Sequence, residues 1–146
     1  MTDFQRIDHP KLCEHFVLLC PEFKARWDEH LAYWQGQERG DYIDIAEFSR
    51  FLVECYAQNK TERFPVIFDE VEQLLTQGNA KVKELVSIGL LEDIQTIASN
   101  HDFGSAVFAR WLGKTSRQVW DEIEVAWEGK QSLMDVVRDE RRKGKI

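Results

Sequence analysis

Apolar side chains recur every three or four residues along most of this chain, and this spacing predicts helices rather than strands. The clearest stripe consists of Ile67, Val71, Leu74 and Leu75, which share one face of a helix. No segment of useful length alternates apolar and polar residues, as a half-buried strand does. Because only three prolines and eight glycines interrupt the stripes, the sequence predicts an all-α fold.

Residues that favour the first turn of a helix divide the stripes into separate helices. Proline is tolerated at the first helical position, and Asp, Asn, Ser and Thr favour the position before it. The predicted starts are Pro10, Pro21, Asp44, Pro65, Asn79, Thr115 and Ser132, with a further short helix over residues 107–112. Predicted stops are Gly36, Gly78, Gly113 and Gly129. Glu47 completes a capping-box pattern with Asp44.

The length of the chain indicates one domain. A chain of 146 residues can bury a single core, so we expect one compact helical domain over residues 1–146, with seven to eight short helices. Helix pairs stacked as in helical-repeat proteins are one form that this fold can take. Only Gly78 and Asn79 separate the fourth and fifth stripes, which predicts a tight antiparallel helical hairpin. Within the fifth helix, Gly89 predicts the close approach of a neighbouring helix.

The charge of the chain is strongly acidic and unevenly spread. The formal net charge is −7, and residues 66–109 hold seven acidic and two basic side chains, a net charge of −5. Binding to nucleic acid through phosphates needs clustered Lys and Arg, so we predict no nucleic-acid partner. An acidic surface complements a basic protein partner. The alternative is that these carboxylates only keep the protein soluble.

The sequence predicts a cytoplasmic protein with no membrane partner. No run approaches the roughly 20 apolar residues of a membrane-spanning helix. The first residues lack the basic and apolar regions of a signal peptide. The three cysteines, Cys13, Cys20 and Cys55, cannot all pair within one chain, and free thiols are typical of a reducing compartment.

Few residues indicate a reaction. Cys13, His15 and Cys20 lack the close pairs of a zinc site, and buried core cysteines explain them better. His101 and Asp102 lie together in a predicted loop, where they form either an acid/base pair or a polar connector. The chain has no phosphate-binding loop and no nucleophile motif. We therefore predict no enzyme activity, no metal, no cofactor and no small-molecule substrate.

Two short segments resemble a known family. They comprise a Gly-Leu-Leu-Glu-Asp-Ile-Gln run at residues 89–95, Trp-Leu-Gly at 111–113, Ser116, Trp-Asp-Glu at 120–122 and Trp-Glu-Gly at 127–129. This combination is similar to a family of small, helical, bacterial immunity-type proteins that belong to toxin–immunity systems, including those of contact-dependent growth inhibition. The resemblance covers residues 64–129, with Lys114 where the family pattern favours proline. Its motifs are core residues, caps and glycines, so it carries over no catalytic residue.

The resemblance implies an immunity protein that forms a 1:1 complex with a cognate toxin domain and occludes its active site. Such toxins are often nucleases, in particular ribonucleases, and need basic surfaces to hold their substrates. The predicted toxin contacts are Asp69, Glu70, Glu72, Glu92, Asp93, Asp121 and Glu122. Exposed tryptophans would serve as interface anchors if they are not part of the core. The alternatives are a small enzyme that uses the His101–Asp102 loop and a homodimeric adaptor or regulatory protein.

Overall fold

Helices account for most of the chain, and none of the described residues, 7–143, lies in a strand. The structure is a computed structural model, in which the side chains of residues 130–135 and 139–143 are not described. The α-helices are α1 (Leu12–Leu19), α2 (Lys24–Tyr33), α3 (Asp41–Ala57), α4 (Phe64–Gln77), α5 (Ala80–Glu84), α6 (Glu92–Ala98) and α7 (Lys114–Lys143). A π-helical segment, Leu85–Leu91, joins α5 to α6. Short 3-10 turns are His9–Lys11, Pro21–Phe23 and Ala106–Trp111. The predicted all-α fold is confirmed.

The helices enclose one hydrophobic core to which the N-terminal and C-terminal halves both contribute. Phe16 of α1 stacks on Phe48 of α3 with ring centroids 4.4 Å apart, and Phe23 meets Phe48 edge-on at 4.8 Å. Trp27 and Trp120 are 5% and 1% exposed, so these two tryptophans are core residues rather than interface anchors. Within the described residues, no helix is both long enough and apolar enough to cross a membrane.

The two-residue connection between the fourth and fifth predicted helices is confirmed. α4 ends at Gln77, and the Asn79 side chain accepts a hydrogen bond of 3.0 Å from the backbone N–H of Val82. Gly78 must stay small, because a Cβ there would lie 2.5 Å from the carbonyl oxygen of Leu74. The cap and the glycine together explain why the chain turns at this point.

Gly89 lies in the π-helical segment, where α3 approaches closely as predicted. A Cβ at this position would lie 2.7 Å from Cγ2 of Ile45 and 3.4 Å from Cδ1 of Tyr42. Apolar periodicity did not predict the π-helical geometry. It lies between α5 and α6, where the π-helical segment and α6 both pack on α3.

The predicted start of the third helix at Asp44 is wrong. The helix begins at Asp41 after Gly40, so Asp44 lies one turn inside it. Asp44 is buried rather than capping, and its Oδ1 accepts a 2.8 Å hydrogen bond from Nε of Arg39. Because the Asp44 carboxylate is already bonded to Arg39 and to the His30 ring, it does not cap a backbone N–H, which explains the error.

The predicted break between a seventh and an eighth helix is also wrong. α7 runs without interruption through Gly129 and Ser132. A Cβ at Gly129 would meet nothing within 4 Å, so no packing demand acts on this glycine. A glycine within a helix costs about 1 kcal/mol, which the strong helix formers on both sides of Gly129 offset.

Candidate functional site

An open groove of about 940 Å³ lies between α2 and α3, with one residue contributed by α6. We call it the α2–α3 groove. Its lining residues are Arg26, Glu29, His30, Tyr33, Trp34, Tyr42, Ile43, Ala46, Glu47, Arg50, Glu54 and Asp93. The contributions of α2 and α3 recur at helical spacing, so each helix turns one continuous face toward the groove.

Both guanidinium groups in the groove are neutralised by the chain itself. Arg26 donates from Nε to Oε1 of Glu47 over 2.6 Å and also contacts the Glu54 carboxylate. Arg50 pairs with the second oxygen of Glu47. Partial burial acts to raise the pKa of Glu47, but the hydrogen bonds from these two arginines outweigh it and hold the pKa below its usual value.

Two carboxylates of the groove, by contrast, have no cationic partner of their own. The side chains of Glu29 and Asp93 form no hydrogen bond or ion pair with any described residue. Burial, followed by the neighbouring carboxylate of Glu92, raises the pKa of Asp93 to about 6, and the charge of Arg50 only partly opposes this rise. The negative charges of Glu29 and Asp93 are therefore not balanced by an ion pair within the groove.

A buried imidazole positions the two helices that form the groove. Nε2 of His30 lies 2.8 Å from Oδ1 of Asp44, and its Nδ1 lies 3.8 Å from the Glu47 carboxylate. The ring also stacks on Trp27, with centroids 5.3 Å apart. The lining of the groove is dominated by carboxylates, guanidinium groups and aromatic rings, which are groups that can bind a charged side chain.

Next to the groove, carboxylates from three elements gather around Tyr42. We define Asp41, Glu84, Glu92 and Asp93 as the acidic patch. Partial burial and the negative charges of Glu84, Asp41 and Glu92 all raise the pKa of the Tyr42 hydroxyl above its ordinary value. Among the described residues, the only contact of these four carboxylates with a basic side chain is that of Asp41 with His9. A region of negative potential thus lies beside an exposed aromatic ring.

The structure brings only two of the seven predicted toxin contacts to this region. Glu92 and Asp93 belong to the acidic patch, and of the seven only Asp93 lines the groove. Oε1 of Glu70 lies 3.3 Å from Nε2 of His15, at an angle outside hydrogen-bonding geometry. Asp69 of α4 is exposed to solvent. The acidic side chains of α4 are therefore separate from the groove.

The predicted contacts on α7 are exposed and have partners on their own helix. Asp121 accepts a 2.9 Å hydrogen bond from Nε of Arg117, one turn earlier. Glu122 accepts a weaker one of 3.5 Å from the Gln118 amide. Surface pairs of this kind contribute little to stability, so both carboxylates are available to a partner.

Glu72 has a structural role that its sequence position did not reveal. Its carboxylate accepts hydrogen bonds from the backbone N–H groups of Thr115 (3.0 Å) and Ser116 (2.8 Å) and from the Ser116 hydroxyl (2.8 Å). Burial acts to raise the pKa of Glu72, but these hydrogen bonds outweigh it and lower the pKa. The absence of a side chain at Gly113 makes space for the Glu72 carboxylate, because a Cβ there would lie 2.7 Å from Cδ of Glu72. The predicted cap by Thr115 is wrong, since Glu72 of α4 caps α7 instead.

The loop proposed for an alternative enzyme activity is exposed. His101 stacks on Phe103 with centroids 4.8 Å apart, and neither His101 nor Asp102 forms an ion pair with a described residue. Cys13 and Cys20 are buried free thiols, as predicted for core cysteines. Burial, followed by a hydrogen bond to Glu22, raises the pKa of Cys20 to about 11. The raised pKa of Cys20 opposes formation of the thiolate that a nucleophilic cysteine needs.

The groove itself was not predicted. A signal was present, because Arg26, Glu29 and Tyr33 share one face of α2 and carry charge and an aromatic ring. The matching face of α3 carries Glu47 and Glu54. Nothing in the two stretches indicates that these faces meet, so no groove follows from them alone.

Comparison with known proteins identifies a family. A family model described as a domain of unknown function (DUF7674) matches residues 13–128, which is most of the chain. The match begins well before residue 64, where the resemblance found in the sequence starts. No match is found among curated proteins or among solved structures.

Proposed function

The chain belongs to the DUF7674 family, and we propose that it is an immunity protein that binds a cognate basic toxin domain and blocks its active site. The observation that carries the proposal is the acidic patch beside the α2–α3 groove. Its carboxylates come from α3, α5 and α6, and they include Glu92 and Asp93, which belong to the segment that resembles immunity-type proteins.

The charge of the patch matches the chemistry of the proposed partner. A nuclease holds its substrate through Lys and Arg side chains that contact phosphates. A protein surface rich in carboxylates competes for the same side chains and accelerates association with a basic partner. Because three of the four patch carboxylates lack a cationic partner within the described residues, they can pair with the toxin without first breaking internal ion pairs.

Exposed apolar side chains supply the other half of an interface. Tyr33 is 76% exposed and Tyr42 is 47% exposed, and both line the groove next to the patch. Interfaces concentrate their binding energy in a few aromatic and Arg side chains surrounded by polar groups. A stable complex of standard size buries about 1,600 Å² in total, and the groove with the patch would form its centre.

The proposal includes the setting in which the protein acts. A nuclease toxin reaches its substrate inside the cell, so the immunity protein would meet it in the cytoplasm. One protein would bind one toxin domain, with no part played by nucleic acid, membrane, cofactor or small-molecule substrate. We propose no catalytic residue.

The test is co-expression of the tagged protein with the toxin domain encoded next to it, followed by co-purification and an assay of toxin activity. We expect a 1:1 complex in which the toxin is inactive. Absence of a complex, together with full toxin activity, would refute the proposal. The mass of the free protein in solution is measured in parallel, because a stable homodimer without toxin binding would favour an adaptor instead.

A second experiment asks which acidic residues make the contact. Single charge reversals are made at Asp69, Glu70, Glu92, Asp93, Asp121 and Glu122, and the affinity of each variant for the toxin is measured. We expect the largest losses at Glu92 and Asp93, about 2–5 kcal/mol if their partners are buried in the complex. Glu72 is left out because its replacement would disturb α7. Unchanged affinity in all six variants would exclude an electrostatic interface.

A further inference from the structure

We propose that the α2–α3 groove receives an arginine side chain of the protein partner, with its guanidinium paired to Asp93 and Glu29 and stacked on the aromatic residues of the groove. This inference rests on the proposed function, which it deepens by assigning the anchor of the interface. It commits the groove to one occupant, a basic segment of a protein.

The charges of the groove support a cationic occupant. Its lining holds four carboxylates and two guanidinium groups, and Glu47 and Glu54 already neutralise Arg26 and Arg50. Apart from the buried His30, two negative charges remain, those of Glu29 and Asp93. One incoming guanidinium has enough N–H groups to donate to both carboxylates at once.

The aromatic lining favours arginine over lysine. Tyr33, Trp34 and Tyr42 line the same groove as the two free carboxylates. A planar guanidinium stacks on aromatic faces and sheds its water more readily than a compact ammonium group does. The protein already shows this kind of contact elsewhere, because the guanidinium carbon of Arg110 lies 4.0 Å from the ring centroid of Trp111.

The environment of Asp93 in the free protein favours binding of a cationic side chain. Burial and the adjacent Glu92 disfavour its charged form and raise its pKa, and no described basic side chain comes close enough to form an ion pair with it. A guanidinium in the groove would remove this unfavourable interaction. A positively charged side chain should therefore bind more tightly in the groove than at an ordinary exposed carboxylate.

The test uses the isolated protein and short capped peptides. Gly-Arg-Gly and Gly-Lys-Gly peptides are titrated into isotope-labelled protein, and NMR shifts are followed at Tyr33, Trp34 and Tyr42. We expect saturable shifts with the arginine peptide at millimolar concentration, the range of a single small contact. The lysine peptide should bind at least about threefold more weakly.

Matched double variants separate the groove from general electrostatics. The Glu29→Gln/Asp93→Asn variant should lose the shifts at the aromatic residues. The control variant, Glu14→Gln/Asp28→Asn, removes the same charge from exposed positions on α1 and α2 that do not line the groove. It should bind the arginine peptide like the wild type. Absence of binding to the wild type, or an equal loss in both double variants, would overturn the proposal.

The same variants then distinguish this inference from the proposed function. If the toxin complex forms and the groove variant weakens it by at least about tenfold while the control does not, both proposals stand. If the complex forms and both variants bind equally well, the immunity function stands and the arginine anchor is refuted. If no complex forms but the arginine peptide binds in the groove, the immunity function fails and the groove serves another basic protein.

Discussion

Replacing Asp93 with Asn should make the protein more stable at neutral pH. Burial and the charge of Glu92 raise the pKa of Asp93 from 3.8 to about 6. The folded protein therefore binds the proton more tightly than the unfolded chain, so the stability cost of ionising Asp93 grows from pH 3.8 upward and is complete above about pH 6. Asparagine keeps the shape of the side chain and removes the charge.

The magnitude follows from the change in pKa. A rise from 3.8 to about 6 corresponds to about 3 kcal/mol for a fully buried group. Asp93 lies in an open groove, so solvent screening reduces this figure. We expect the Asp93→Asn variant to gain about 1 kcal/mol at pH 7.5. Because the unfolded carboxyl titrates near 3.8, the gain should fall as the pH drops from about 6, reach about a third of its neutral value at pH 4.5, and vanish only well below pH 3.8.

The assay is urea unfolding of both proteins at pH 7.5 and pH 4.5, monitored by tryptophan fluorescence. Asp121→Asn is the control, because Asp121 is exposed and has only a same-helix partner. It should change stability by less than about 0.5 kcal/mol at pH 7.5. Destabilisation by Asp93→Asn at pH 7.5, or an equal gain at both pH values, would refute the reasoning. A carboxylate that costs stability in the free protein is typical of a residue kept for function.

Three further predictions concern single positions. Glu72→Ala should destabilise the protein by about 1–2 kcal/mol in urea unfolding, because the start of α7 loses three hydrogen bonds. A loss below about 0.5 kcal/mol would mean that Ser116 caps the helix unaided. Gly89→Ala should lower the midpoint of thermal unfolding and cost about 1–3 kcal/mol of stability, because the added methyl group meets Ile45. A higher midpoint would show that helix propensity outweighs packing. His101→Ala should leave both stability and toxin binding unchanged, since the imidazole is exposed, and a loss of a measured catalytic activity in this variant would support the enzyme alternative.

The relation between Glu72 and α7 shows how a correct local pattern leads to a wrong assignment. The Thr115 hydroxyl has the right chemistry and the right position to cap a helix. The structure places a carboxylate from α4 at the same N–H groups, and the negative charge suits the positive end of the helix dipole better than a hydroxyl does. Glu72 and Thr115 lie 43 residues apart, so no local rule pairs them.

The sequence by itself determined the helices and their shortest connection. Apolar spacing and the scarcity of proline and glycine exclude strands, and Gly78 with Asn79 marks the turn between α4 and α5. These features depend on interactions between residues at most four positions apart, which a sequence displays directly. The close approach at Gly89 was predictable for a similar reason, because a glycine inside a helix needs a compensating contact.

Only the tertiary structure decided which helix faces meet. The α2–α3 groove, the buried His30–Asp44 pair and the acidic patch all join residues from different helices. A helical pattern identifies the polar face of each helix but not its neighbour, because packing is chosen by the fit of whole surfaces and by the pairing of buried charges. The sequence offers Asp93 as one of seven predicted toxin contacts and gives Glu29 no role, and only the fold places both as unpaired charges in one groove.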